Sequence, residues 1–188
     1  MKKSLIIVGI ILAIILIPIM MAVGTYNSLV QLDEDANAQW AQVENQLKRR
    51  ADLIPNLVNT VQGFASQEKE VLIGVTEARS RLETAASPEE AAEANAQLTN
   101  ALSRLNVVVE RYPELKSNEN FIRLQDELAG TENRIAVARR DYNESARIFN
   151  SRIRRFPTNI LANMFGFDGK EYFEVGEEDQ EVPEVDLQ

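Results

Sequence analysis

The sequence predicts an all-α protein, an N-terminal transmembrane helix followed by an antiparallel up-down-up-down four-helix bundle. Three observations predict it. Residues 4–23 carry no charge and are dominated by Ile and Leu. Behind that run, apolar residues recur at the 3.6-residue period of a helix through long stretches of chain. Only 8 Gly and 6 Pro punctuate the 188 residues, few enough to leave long helices uninterrupted.

At ~1.5 Å per residue the opening run matches a hydrocarbon core of ~30 Å, which makes residues 1–24 a membrane anchor. Lys2, Lys3 and the small residues Ala22-Val23-Gly24 resemble a cleavable signal. The apolar core of such a signal is only about 7–15 residues long, however, and here helical pattern resumes directly after the run. The anchor is therefore expected to remain. Pro18 is tolerable within a span, because neighbouring groups re-satisfy the freed backbone. Two lysines before the run and Asp33, Glu34 and Asp35 beyond it put the amino terminus inside under the positive-inside rule. The expectation is a single pass through the cytoplasmic (inner) membrane, with the bundle over residues 25–156 on the extracytoplasmic side.

The first bundle helix is expected over about 25–50, where Leu29, Leu32, Ala36, Trp40, Val43 and Leu47 form one stripe. Lys48, Arg49 and Arg50 suit a helix C-terminus, Asp52 suits a cap, and Pro55 suits a first turn, so a break is expected at about 51–53. Ile54, Val58 and Val61 keep a compatible register, which leaves a kinked continuous helix as the alternative. The second helix, about 53–84, ends before Ser87-Pro88-Glu89-Glu90, an N-cap Ser with Pro at the first helical position and Glu at the third. A third helix, about 88–111, stops near Tyr112-Pro113. In the fourth, about 118–156, Phe121, Leu128, Ile135, Tyr142, Phe149 and Phe156 recur every seven residues, the period of a supercoiled seam, with Thr131, Ser145 and Arg152 diluting its second row. Leu29, Leu32, Trp40, Val43 and Leu47, with Phe121, Leu128, Ile135, Tyr142 and Phe149 of the heptad row, are the expected bundle core.

Two segments follow the bundle. Residues 157–167 read as a short amphipathic helix capped by Thr158, with Leu161, Met164 and Phe165 on one face. Residues 168–188 hold nine of the 29 acids and only one of the 20 cations, Lys170. The net charge of -9 is therefore almost entirely a property of this segment, which is expected to be a disordered acidic tail.

At particular residues the chain resembles the LemA family of bacterial membrane proteins. The matching stretches are YNSLVQLDE from Tyr26, QWAQVENQLKRRADLIPNLVNTVQGFA from Gln39, LNVVVERYPELKSNENF from Leu105 and ELAGTENRIAVARRDYNESARIFNSRIRRFPTNILANMFGF from Glu127. The ending EVPEVDLQ is similar as well. The resemblance implies a single N-terminal anchor carrying a four-helix bundle, with no established enzymatic activity and no catalytic residues to carry over. One departure is Gln67, before Glu68, where relatives commonly place a His.

Composition excludes much chemistry. With neither Cys nor His there is no thiolate nucleophile, disulfide, Ser-His-Asp triad or His-ligated metal. Glu127, Glu132, Asp141 and Glu144 are the residual candidates for a carboxylate metal site or acid-base pair, but acids at this density are ordinary on solvated helix faces. No phosphate-cradling glycine loop is present, and residues 1–167 are nearly neutral, which argues against nucleic acid. No cofactor, metal or small-molecule substrate is expected. Arg152, Arg154 and Arg155, with Leu161, Met164 and Phe165, are the candidate membrane-surface contacts, since a fourth antiparallel helix returns to the lipid from which the first departs. The expected function is a non-enzymatic scaffold that organises envelope proteins or membrane shape. Its expected partners are the bilayer, further copies of itself or an envelope membrane protein. The alternatives are an accessory or regulatory subunit and a carboxylate-dependent enzyme.

Overall fold

The computed structural model describes residues 2–174, and of residues 2–8, 10, 11, 13 and 15 the backbone alone. The described chain is all-α, without strands: α1 (Lys2–Phe64), α2 (Lys69–Thr84), α3 (Pro88–Val109), the single turn α4 (Pro113–Lys116), α5 (Glu119–Arg154) and α6 (Thr158–Phe165). They fall into two compact units, one made of Met1–Ala38 with Glu144–Lys170 and the other of Gln39–Asn143 with Glu171–Gln188. Among the described residues no helix is long and apolar enough to cross a membrane. Many side chains of the 4–23 run, on which the expected anchor rests, lie outside the described residues.

In the second unit, α1 does not break at 51–53; it continues to Phe64. Pro55 lies inside it, and the missing N–H of Pro55 strands the carbonyl of Ala51. Arg79 of α2 supplies the lost donor, its Nε reaching the Ala51 oxygen at 3.0 Å. The acceptor is satisfied from outside the helix, so the continuous alternative prevails. The turn comes later, at residues 65–68, closed by a 2.8 Å bond from the Ala65 N–H to the Val61 carbonyl.

The buried residues of α1 in this unit are Val43, Leu47, Arg50, Ala51, Ile54, Leu57 and Val61, a seam with steps of three and four widened by the adjacent pair Arg50 and Ala51. Arg50 takes a seam position that would ordinarily be apolar. Its guanidinium donates to Asn95 Oδ1 at 2.6 Å and Thr99 Oγ1 at 3.1 Å, both on α3, and ion-pairs with Glu132 on α5. The α2 and α3 helices form a hairpin, tied by Arg81 and Gln97 at 2.8 Å. Its second arm starts as the Ser-Pro-Glu-Glu pattern requires: Ser87 Oγ accepts the Glu90 N–H, and the Glu90 carboxylate accepts the Ala86 N–H.

The third helix ends at Val109, and α4 intervenes before α5, burying Leu115. Asn118 Oδ1 then caps α5 by accepting the Phe121 N–H at 3.1 Å. Along α5, Phe121, Leu128, Ile135, Tyr142 and Phe149 are all buried, as are Leu29, Val43 and Leu47 on α1. Thr131 is buried too, because its hydroxyl donates back to the Leu128 carbonyl at 2.7 Å and needs no solvent. Two expected core residues are only half-buried. Leu32 borders an open cleft in the first unit. Trp40 stacks at 5.1 Å on Tyr142 and leaves one side along a groove lined by Lys48 and Leu82 in the second.

The expected disordered tail does not begin at Asp168: residues 168–174 are held in place. In the first unit, Asn150 Oδ1 accepts the Lys170 N–H at 2.7 Å and its Nδ2 donates to the Lys170 carbonyl at 2.8 Å. Gly169 permits this approach, since a Cβ there would lie 3.3 Å from Asn150 Oδ1. In the second unit, Asn143 makes the same pair of bonds to Phe173, at 2.9 and 3.3 Å. Each amide offers the passing backbone both a donor and an acceptor. Phe173 is buried against Trp40, with ring centres 6.2 Å apart. Residues 175–188, the rest of the expected tail, lie outside the described residues.

Candidate lipid-facing site

The first unit brings the end of the apolar run next to the short helix that follows α5. Tyr26, three residues past Val23, packs its ring on Phe165 at 4.7 Å and on Phe167 at 5.9 Å. Phe167 in turn meets the buried Phe149 edge-on at 6.3 Å. Three residues of helix correspond to ~4.5 Å of rise, so α6 is seated just past the last residue of the apolar run.

Local sequence explains how α6 forms and stops. The chain leaves α5 at Arg154, turns through Phe156-Pro157, and re-enters a helix at Thr158. Thr158 does not cap α6: it is the first helical residue, its side chain is buried, and backbone bonds such as Asn159 N–H to Arg155 carbonyl (2.8 Å) serve the start instead. The helix ends at Gly166, whose φ of 73° is the left-handed conformation open to glycine, and the Phe167 N–H closes on the Ala162 carbonyl at 3.0 Å.

The burial pattern of α6 is one-sided. Thr158 and Ala162 face the unit, while Ile160 (56% exposed), Met164 (65%) and Phe165 (53%) face out, joined by Phe156 at 82%. Leu161, expected on the outer face with Met164 and Phe165, is half-buried, and Ile160, one turn before Met164, takes its place. An apolar cluster of this kind on so short a helix is unusual for a surface that meets only water.

The arginines separate in a way that composition does not show. Arg152 of α5 and Arg155, the residue just past its end, line one cleft of 460 Å³ with Arg147, Ile148 and Ser151 of α5 and Ser28 and Leu32 of α1. Arg154 is exposed and does not line it. Arg147 is held by Glu144 through bonds of 2.8 and 2.7 Å, and that hydrogen bonding, with the cation's proximity, lowers the Glu144 carboxyl below its ordinary pKa. In the same unit, Lys170 Nζ sits 2.8 Å from an Asp33 carboxylate oxygen and 2.8 Å from Asn37 Oδ1, with the Phe149 ring centre 5.6 Å away.

Of the four acids singled out as possible catalysts, Glu127 is exposed on α5 and the other three each pair with an arginine. Glu132 pairs with Arg50, Asp141 with Arg140 at 3.2 Å, and Glu144 with Arg147. Among the described residues no group of three or more acids is placed to hold a metal ion. Burial lowers the Arg50 pKa from its ordinary value, and the Glu132 charge opposes that shift. Burial also pushes Tyr142 up to about 12, with the Glu171 carboxylate adding to it. Gln67, at the position where a His was expected of relatives, donates to the Tyr112 hydroxyl at 2.8 Å, and that hydroxyl donates to Glu68 at 3.0 Å.

Sequence reasoning missed Tyr26, Asn143, Asn150 and Phe173 as contact residues, and it placed Phe156 in the heptad row, whereas α5 ends two residues earlier and leaves that ring exposed. A signal existed for the asparagines, which follow Tyr142 and Phe149 by one position each and so repeat with the heptad.

The LemA family model matches residues 39–187. The chain belongs to the LemA family. Among relatives, the magnetosome protein MamQ 2 of Paramagnetospirillum magneticum is 30% identical over 175 residues, and the alignment covers 79% of this chain and 64% of that protein. MamQ of Magnetospirillum gryphiswaldense is 29% identical over 174 residues, with the same coverage. Protein LemA of Metamycoplasma hominis is 26% identical over 156 residues, covering 82% of this chain and 71% of that one. The chain therefore spans a little under two thirds of the MamQ proteins it matches. None of these family members bears an enzyme's name.

Proposed function

We propose that this LemA-family chain is a non-enzymatic, membrane-anchored helical scaffold. Residues 4–23 cross the cytoplasmic membrane, the rest stands on its extracytoplasmic side, and α1, α2, α3 and α5 make a four-helix bundle that organises envelope proteins or membrane shape by self-association or partner binding. The observation that carries the reading is the stacking of Tyr26 on Phe165, which sets an outward-facing apolar helix directly beside the end of the apolar run. Such a pairing is costly in water and favourable at a lipid interface. Support for the bundle comes from Arg50 and Arg79, whose bonds join α1 to α2, α3 and α5. Against an enzyme stands the pairing of Glu132, Asp141 and Glu144, each with its own arginine.

Crosslinking in intact cells followed by purification from membranes tests this. A scaffold yields self-adducts or a set of envelope proteins, with the chain in the membrane fraction and digested by protease added to spheroplasts. Recovery in the soluble fraction, or digestion only after lysis, would overturn the anchor or its orientation. A single partner at fixed ratio would favour an accessory subunit.

A further inference from the structure

We propose that the cleft between α1 and α5 in the first unit is a binding site for the phosphodiester headgroup of an anionic phospholipid. The inference rests on the anchored reading above and deepens it, from a helix lying on lipid to a site that selects lipid.

The cleft's chemistry is that of a phosphate site. Its lining of seven residues includes Arg147, Arg152 and Arg155 and the hydroxyls of Ser28 and Ser151, and among the described residues no carboxylate lines it. Glu144 holds Arg147 from outside and fixes its guanidinium plane, offsetting one of the three charges. Planar guanidinium forks match phosphate oxygens, and hydroxyls can donate to the same group. Leu32 and Ile148 complete the walls with apolar surface, which strengthens the electrostatic attraction by excluding water.

Its level also fits. Ser28 lies five residues past Val23, ~7.5 Å of helical rise beyond the apolar run. A bilayer of ~40–45 Å with a ~30 Å hydrocarbon core leaves about 5–8 Å of headgroup layer on each side. Tyr26 falls at the boundary, where tyrosines concentrate, and Ser28 in the phosphate layer. The donors are side chains around an open cleft, without the backbone N–H cradle by which proteins enclose a free phosphate. The high local concentration of headgroups at a surface offsets that openness. A zwitterionic choline lipid would bring its own cation among the arginines, so the site favours a headgroup of net negative charge.

The test uses the full chain in mixed micelles of phosphatidylcholine and phosphatidylglycerol, with retained lipid counted by native mass spectrometry. Phosphatidylglycerol should be retained about tenfold over phosphatidylcholine, as two surface arginines permit. The preference should vanish in Arg152→Gln/Arg155→Gln, diminish in Ser28→Ala/Ser151→Ala, and persist in Arg154→Gln, which alters a cation outside the cleft. Equal retention of both lipids overturns the proposal, as does a loss of preference as large in Arg154→Gln as in the double variant. Displacement of the lipid by millimolar inorganic phosphate would assign the site to free phosphate and overturn it equally. Flotation with liposomes of phosphatidylcholine alone reads the anchor separately: a chain that floats without any preference in micelles refutes this site only, whereas one that fails to float refutes the anchored function.

Discussion

Arg79 Nε donates a 3.0 Å hydrogen bond to the carbonyl of Ala51, the acceptor that Pro55 deprives of its helical donor. A residue of α2 thereby completes the hydrogen-bond ladder of α1. The same guanidinium pairs with Glu83 at 2.6 Å, a partly solvated i,i+4 pair of the kind that contributes little.

Replacing Arg79 with Met should cost about 1–3 kcal/mol, because a buried carbonyl is left unpaired. In a Pro55→Ala background the backbone N–H restored at position 55 can serve that oxygen, and the cost should shrink to a few tenths. Denaturant unfolding of the detergent-solubilised chain measures the cycle. Additivity within ~0.5 kcal/mol would show that Arg79 acts by some route other than the Ala51 carbonyl.

Arg50 supports a second prediction. It is buried and donates to Asn95 and Thr99, so Arg50→Ala should cost about 3–5 kcal/mol. Arg50→Met should still lose about 1–3 kcal/mol by stranding Asn95. Adding Asn95→Leu should recover most of that loss, since an apolar pair satisfies itself. Near-wild-type unfolding of Arg50→Ala would mean that Arg50 is hydrated in solution.

Phe173 tests the docking of the acidic segment. Its removal in Phe173→Ala should cost about 3 kcal/mol, toward the low end for a buried aromatic because one neighbour, Trp40, is half-exposed. Trp40 is the sole tryptophan, so the emission comes from the one indole that Phe173 covers. A red shift in the variant at unchanged helical content is the expected outcome. An unshifted spectrum would place Phe173 elsewhere in solution.

These residues show what the sequence made legible. The stripe on α1, the heptad on α5 and the cap at Ser87 were readable because each depends on neighbours within a turn or two. Continuity through Pro55 was not, because its rescuing donor lies 28 residues away on another helix. Acid content dominates the composition of residues 168–188, yet a few of them, Lys170 and Phe173 above all, decide where residues 168–174 sit. At the candidate site the basic and apolar residues were legible as a cluster. Their division into a cleft and an outward apolar face depends on side-chain direction, which composition does not carry.

Tyr142 makes a pH prediction. Its pKa is raised by burial, to about 12 from 10.0, so the folded state holds the phenolic proton more tightly than the unfolded state. The stabilisation is complete below pH ~10 and is lost as pH rises from there through about 12. The Tyr142 hydroxyl also donates to the Glu171 carbonyl at 2.7 Å, a bond that ends on ionisation. Tyrosinate absorbance should show one of the four tyrosines titrating last, and Tyr142→Phe should remove that phase and flatten the alkaline loss of stability. A uniform titration of all four would contradict it.

The first unit is assembled from two pieces of chain separated by more than a hundred residues, Met1–Ala38 and Glu144–Lys170. Its pairing of Tyr26 with Phe167 closes most of the polypeptide into a loop. Contacts this non-local form late, since the entropy of loop closure must be overcome before they reward the chain. During synthesis the α2–α3 hairpin can fold as soon as it emerges, whereas Tyr26 waits exposed until Phe165 has been made. The part of the molecule nearest the apolar run is thus the last to close, and a chain stalled before residue 144 lacks every residue that would cover it.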